Sequence, residues 1–172
     1  MPSRRTFLVA GILGAAGLAT AMWFRTSPSD RGSGRRTALG GDGEAILGAV
    51  APVMLEGALP QAPAARREAI DETLDHLDRA IAGLPPRARE ELGQLFALLS
   101  LPPTRLALAR LTAPWSEASA ESVHAFIERL RESRFALLRS AYDAFHQLIF
   151  AAWYASPRAW QAIGYDGPPR LF

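Results

Sequence analysis

The chain contains no cysteine. It therefore has no thiol nucleophile, no iron–sulfur ligand and no attachment point for a c-type haem. An exported domain could have used disulfides; this one must be held by packing or by a partner. Lysine is absent too, so all 19 basic residues are arginine, for which GC-rich coding is a sufficient cause. Acids are almost missing from residues 1–41, which hold six Arg and one Asp, whereas residues 42–172 hold 13 Arg and 16 acids. The pI near 9.6 thus belongs to the N-terminal part, and the body of the protein is mildly acidic. That removes the electrostatic footprint expected of a nucleic-acid binder. Strand-like alternation, an internal repeat of useful length and a nucleophile-elbow or triad context are also lacking.

The first segment present is a leader. Arg4 and Arg5 precede an uncharged run of 18 residues, 7–24, in which Gly11, Gly14 and Gly17 recur every third position. Each glycine costs a helix about 1 kcal/mol relative to alanine, and a run without a polar face cannot lie on a soluble core as an amphipathic helix. A charged start, an apolar middle and a small-residue end are the parts of an export signal. The order Ser3-Arg4-Arg5-Thr6-Phe7-Leu8 resembles the twin-arginine signal of bacterial Tat export, with Arg4, Arg5, Phe7 and Leu8 as its marked positions. A dinucleotide loop is a worse reading: the glycine spacing is G-x-x-G-x-x-G, no strand precedes it and no acid follows about 20 positions on. Ala19-Thr20-Ala21 has the form of a cleavage site, yet Met22-Trp23-Phe24 extends the run to a length that just spans a bilayer. Cleavage, and retention as an inner-membrane anchor, both remain open; either places the body of the protein in the periplasm.

Residues 25–42, rich in Gly, Ser and Arg, read as a flexible linker. Residues 43–172 read as an all-α domain, a small bundle of about six helices. A first helix is expected over 43–57, with Pro52 kinking or breaking it. A second runs from Pro63 to about Gly83, with Ile70, Leu74, Leu77 and Ile81 on its apolar face. A third follows Pro86 and carries Leu92, Leu95, Phe96 and Leu99. A short segment covers 105–111, and a further helix follows Ser119 with Val123, Phe126, Ile127 and Leu130 inward. The longest, about 134–155, has Phe135, Leu138, Tyr142, Phe145, Ile149 and Trp153 along one face, and its apolarity makes it the expected centre. Ser156-Pro157 caps a last short helix that stops at Gly164.

Two spacings bear on metal chemistry. Glu121 and His124, and Asp143 and His146, each place a carboxylate three residues before a histidine on an expected helix. Di-iron bundles use such pairs on two helices, with a further Glu from each of two others; Glu72 and Glu91 are the available candidates. The simpler reading makes Glu121 a first-turn acid favoured by the helix dipole and His146 an ordinary core or interface histidine. No metal and no cofactor are expected in this chain on that reading; the alternative is a stand-alone helical metalloprotein.

The densest signal is at the C-terminal end. Trp153, Tyr154, Trp160 and Tyr165 fall within 13 residues, followed by the turn and stiff tail of Gly164, Gly167 and Pro168. Aromatics and arginine at this density are typical of interfaces. The ending "AAWYASPRAWQAIGYDGPP", the Tat-like leader and the cysteine-free helical domain together resemble the gluconate 2-dehydrogenase subunit 3 family. The similarity covers residues 44–169 in outline and 150–169 in detail, with "LGAVAPVMLEGALP" similar to the family's early helix. It implies a small, non-catalytic accessory subunit of an exported flavin-dependent dehydrogenase. The FAD would sit in a large partner subunit of the glucose–methanol–choline type, acting on sugars or other alcohols. Tat carries folded proteins, so a small subunit with a Tat leader would also carry its flavin-loaded partner across. An anchored periplasmic scaffold with an unrelated partner is a further alternative.

Overall fold

Ile46, Leu47, Val50 and Ala51 repeat at helical spacing, and all four have no solvent exposure. They belong to α1 (Gly40–Met54), around which the other elements are arranged. The computed structural model describes residues 36–165, and every regular element among them is helical. After α1 come α2 (Pro63–Ala82), α3 (Pro86–Ser100) and the single turn α4 (Pro102–Thr104), which continues as a π-helical turn, Arg105–Ala109. A 3₁₀ turn (Trp115–Glu117) leads into α5 (Ala120–Arg131), α6 (Ala136–Tyr154) and α7 (Pro157–Ala162). The segment expected to be a leader, including Arg4, Arg5, Phe7 and Leu8, lies outside the described residues.

The all-α expectation holds, but the centre is α1 rather than α6. α1 packs against α2, α3, α5, α6 and the 3₁₀ turn. Gly43 makes one of these contacts possible. A Cβ there would stand 2.8 Å from a ring carbon of Phe96, so the bare backbone is what admits the α3 ring. On α6 only Phe145, Ile149, Ala152 and Trp153 are buried. Phe135 is 56% exposed and Leu137 80%, because the helix starts at Ala136 and leaves its first turn outside the bundle. Pro52 does not break α1. The helix continues through it to Met54, two residues further on, with the single main-chain bond that proline's missing N–H forgoes.

The core is tied by aromatic rings of three elements. Trp115 meets Phe126 edge-on at 5.3 Å, and Phe126 meets Phe145 at 6.4 Å. The buried Trp115 indole N–H donates to the Leu99 carbonyl at 3.0 Å, satisfying one of the acceptors that the end of α3 leaves over.

Residues expected to be linker are part of the fold. Arg36 is only 7% exposed. Its Nε donates to Asp75 Oδ1 at 2.8 Å, Nη1 to Glu44 Oε1 at 2.5 Å, and Nη2 to both the carbonyl (2.9 Å) and Oδ1 (3.2 Å) of Asp71. One turn further along α2, Asp78 Oδ1 accepts from the N–H groups of Ala38 (2.9 Å) and Leu39 (2.8 Å), giving α1 the cap that its own sequence does not supply. The linker boundary at 42 therefore moves back to before Arg36.

Arg36→Ala is expected to lower the unfolding free energy by about 2 kcal/mol. That is less than the roughly 3–5 kcal/mol of a fully buried pair, because the three carboxylates keep part of their hydration. Lysine should restore only part of it, having no planar fork, and Asp78→Ala should cost about 1 kcal/mol through the lost cap. Urea denaturation of the three variants checks the order; an Arg36→Ala protein as stable as wild type would remove the lock from the account.

Candidate functional site

Ser156 and Pro157 set the geometry of the C-terminal segment. The Ser156 hydroxyl accepts from the Arg158 N–H at 3.2 Å, as an N-cap should, and donates to Glu72 Oε1 of α2 at 2.7 Å. Arg158 Nε donates to Glu72 Oε2 at 3.3 Å, and Nη2 lies 3.4 Å from Glu68. On the same helix, His76 Nδ1 is 2.9 Å from the carbonyl of Ala152 in the last turn of α6. The Glu72 carboxyl is held below the ordinary glutamate value, first by the Ser156 hydrogen bond and then by Arg158, against the opposing effect of burial.

The end of α7 is a Schellman motif. The Tyr165 N–H donates to the Trp160 carbonyl at 2.9 Å and the Gly164 N–H to that of Gln161 at 3.2 Å, with Gly164 at φ +71°. The apolar contact that accompanies this motif is Tyr165 set edge-on to Trp160 at 6.0 Å. Trp160 also donates its indole N–H to the Tyr154 carbonyl at 2.7 Å. It is half-buried against the core, more enclosed than a free-standing anchor.

Trp153 is 3% exposed and belongs to the core, not to a partner surface; its spacing of four residues from Ile149 puts it on the same buried face of α6. Tyr154, next in sequence, is 44% exposed and Tyr165 47%. Gly167 and Pro168 lie outside the described residues. Sequence reasoning missed the extension of this surface along α6. Tyr142, His146, Phe150 and Tyr154 follow at steps of four, with ring centroids 6.1, 4.3 and 6.3 Å apart. His146 and Tyr154 are exposed, Tyr142 and Phe150 half-buried. The four-residue spacing was the available signal, obscured because Tyr142 also fits the inward stripe. The Tyr154 carbonyl accepts the Trp160 indole N–H, so the Trp160–Tyr165 pair follows directly on this row, and together they make an aromatic band from the middle of α6 to just past α7.

The paired carboxylate–histidine spacings do not build a metal centre. Glu121, His124, Asp143 and His146 are all exposed, and among the described residues no three His, Asp or Glu side chains converge on a point that could hold an ion. Glu72 is engaged by Ser156 and Arg158, and Glu91 pairs with Arg87 at 3.0 Å. Helical spacing put each pair on one face; tertiary packing turned both faces to solvent.

Glu72→Gln should weaken the hold on α7 by about 1 kcal/mol, the net worth of one hydrogen bond with a charged partner and a half-screened ion pair. The folded-state value is depressed, so this contribution is complete above the ordinary glutamate pKa, about 4.3, and is lost as pH falls through the folded value. Stability of wild type minus variant, measured by denaturation across acid pH, should therefore shrink on acidification. Gly164→Ala forces an L-residue into the left-handed region at about 1 kcal/mol, and should speed amide exchange at Gly164 and Tyr165 without unfolding the bundle.

Comparison with protein-family models, with curated proteins and with solved structures returned no match for this chain.

Proposed function

We propose that this chain is the small, non-catalytic accessory subunit of an exported flavin-dependent dehydrogenase of the glucose–methanol–choline type, and that its leader takes the assembled pair through the Tat system. The observation that carries the reading is the aromatic band. The segment that resembles the gluconate 2-dehydrogenase subunit 3 family, residues 150–169, is also where Tyr154, Ile163 and Tyr165 stand 44, 62 and 47% exposed. Aromatic side chains offer large contact area at low entropic cost, which is why they anchor interfaces. In this reading the FAD and the reacting groups belong to the large subunit. The present chain contributes the docking surface and the export signal, in the periplasm or at the inner membrane.

The band and the leader are tested separately. Tyr154→Ala with Tyr165→Ala removes two exposed rings, so the helical content seen by circular dichroism should not change. Losing such anchors typically costs about 2–4 kcal/mol of binding, a roughly 30- to 1,000-fold loss of affinity for the flavoprotein. Co-purification at wild-type affinity would place the docking surface elsewhere. For the leader, Arg4→Lys with Arg5→Lys keeps the charge and removes the guanidinium forks. Both this chain and its dehydrogenase should then stay in the cytoplasm; normal periplasmic dehydrogenase activity in that strain would rule out the escort role.

A further inference from the structure

The bend that joins α3 to the π-turn is explained neither by the core nor by the aromatic band. From Gly93 to Ser116 the sequence contains no acid over 24 residues, in a domain with 16. Four leucines point outward along it: Leu95 and Leu98 of α3, 44 and 38% exposed, and Leu106 and Leu108 of the π-turn, 55 and 41%. The π-turn closes at Arg110, which adopts the left-handed conformation (φ 54°) so that its N–H reaches the Arg105 carbonyl. Such a backbone is uncommon for a residue other than glycine, and π-turns recur at functional sites.

Three guanidinium groups gather at this turn. Arg105 Nη2 donates to the Thr112 carbonyl at 3.2 Å and Nη1 to that of Ser100 at 3.5 Å. Arg129 of α5 reaches across to the Ala109 carbonyl at 2.5 Å. Arg110 is exposed beside them. Among the described residues, Arg105 and Arg129 have main-chain carbonyls as their only acceptors. Among the described residues no carboxylate pairs with any of the three, and Nε of both Arg105 and Arg129 is buried without an acceptor. The cost is visible at Arg129, whose pKa is pushed down first by burial and then by the charge of Arg110. Elsewhere the protein neutralises its inward arginines: Arg36 has three carboxylates and Arg158 two.

We propose that this bend is a membrane-surface site, at which the leucines enter the boundary between headgroups and acyl chains while Arg105, Arg110 and Arg129 meet the phosphates of anionic phospholipids. Charge complementarity selects that occupant. An uncompensated cationic cluster beside outward leucines matches a surface that is anionic above and apolar below. α3 and residues 102–109 together have the length and apolar composition of a membrane segment but are bent by 74°, which suits lying along the interface and not crossing it as one rod. The proposal does not depend on a dehydrogenase partner or on whether the leader is cleaved.

The absence of cysteine makes the test direct. Ala107→Cys puts a single thiol on the exposed π-turn without removing a leucine, and a polarity-sensitive nitrobenzoxadiazole probe is attached there. The labelled full-length chain is reconstituted in vesicles of phosphatidylcholine alone and of phosphatidylcholine mixed with phosphatidylglycerol. The leader, if retained, anchors the chain in both, so the probe reports where the turn itself sits. A blue shift confined to the anionic vesicles is expected. Arg110→Gln, which removes a side chain with no hydrogen bond among the described residues, should reduce that partition about fivefold, the share of one cation at such a surface. Circular dichroism confirms that the variant is folded. Any of four results overturns the proposal: no shift in either vesicle; an equal shift in both, which means apolar insertion without phosphate binding; an unchanged response in Arg110→Gln; or a shift that appears only when the co-purified flavoprotein is added in detergent, which makes the bend a protein-docking surface.

Discussion

The fold begins with a single guanidinium. Burial by itself would lower the pKa of Arg36; the bonds to Glu44 and Asp75, and the charge of Asp75, more than offset this and leave it raised. The arrangement avoids the usual penalty of a buried ion pair, because only the cation is buried. The carboxylates of Glu44, Asp71 and Asp75 remain 37, 63 and 34% exposed. What the lock fixes is the approach of the chain to α1. With Arg36 held on α2 and Asp78 capping the next two amides, Leu39 is placed in the core at 3% exposure and α1 enters the bundle at a defined angle.

The same helix holds the other end of the domain. α2 presents Asp71, Asp75 and Asp78 to the start of the fold, and Glu68, Glu72 and His76 to the end of α6 and the beginning of α7. Its core side, Ala69, Thr73, Leu74, Leu77 and Ile81, is buried between. Thr73 is fully inside only because its hydroxyl donates to the Ala69 carbonyl at 2.8 Å, so no polar group is left unsatisfied. Polar anchoring on α2 thus does for the two ends of this cysteine-free domain what cross-links do elsewhere, positioning segments that have too little apolar surface to position themselves.

Among the described residues two surfaces are only partly covered by packing, and they differ in chemistry. The band along α6 and α7 is aromatic and held in place by a Schellman turn, an N-cap and an indole hydrogen bond. Its rings are presented with little freedom left to lose on binding, which favours a protein partner. The bend after α3 is aliphatic and cationic, with strained backbone at Arg110 and unpaired guanidinium nitrogens, and suits a fluid anionic surface.

Much of the architecture was legible in the sequence, because helices here are dictated by local chemistry. Pro63 and Pro86 start helices, Ser119 and Ser156 cap them, and apolar spacing in α2 and α5 marks the faces that the core receives. What only tertiary structure decided was which of several acceptable faces turned inward. α6 is apolar enough to be central, but α1, with small residues such as Gly43 and Ala51, allows closer approach on all sides and took that place. Arg36 sits in a stretch composed like a linker; besides Glu44 at the start of α1, its partners Asp71 and Asp75 lie 35 and 39 residues away on α2, and no local pattern reveals such a pairing. The carboxylate–histidine pairs show the same limit in reverse: spacing puts two ligands on one face, but only packing of distant helices brings two faces together, and here it left them both in water.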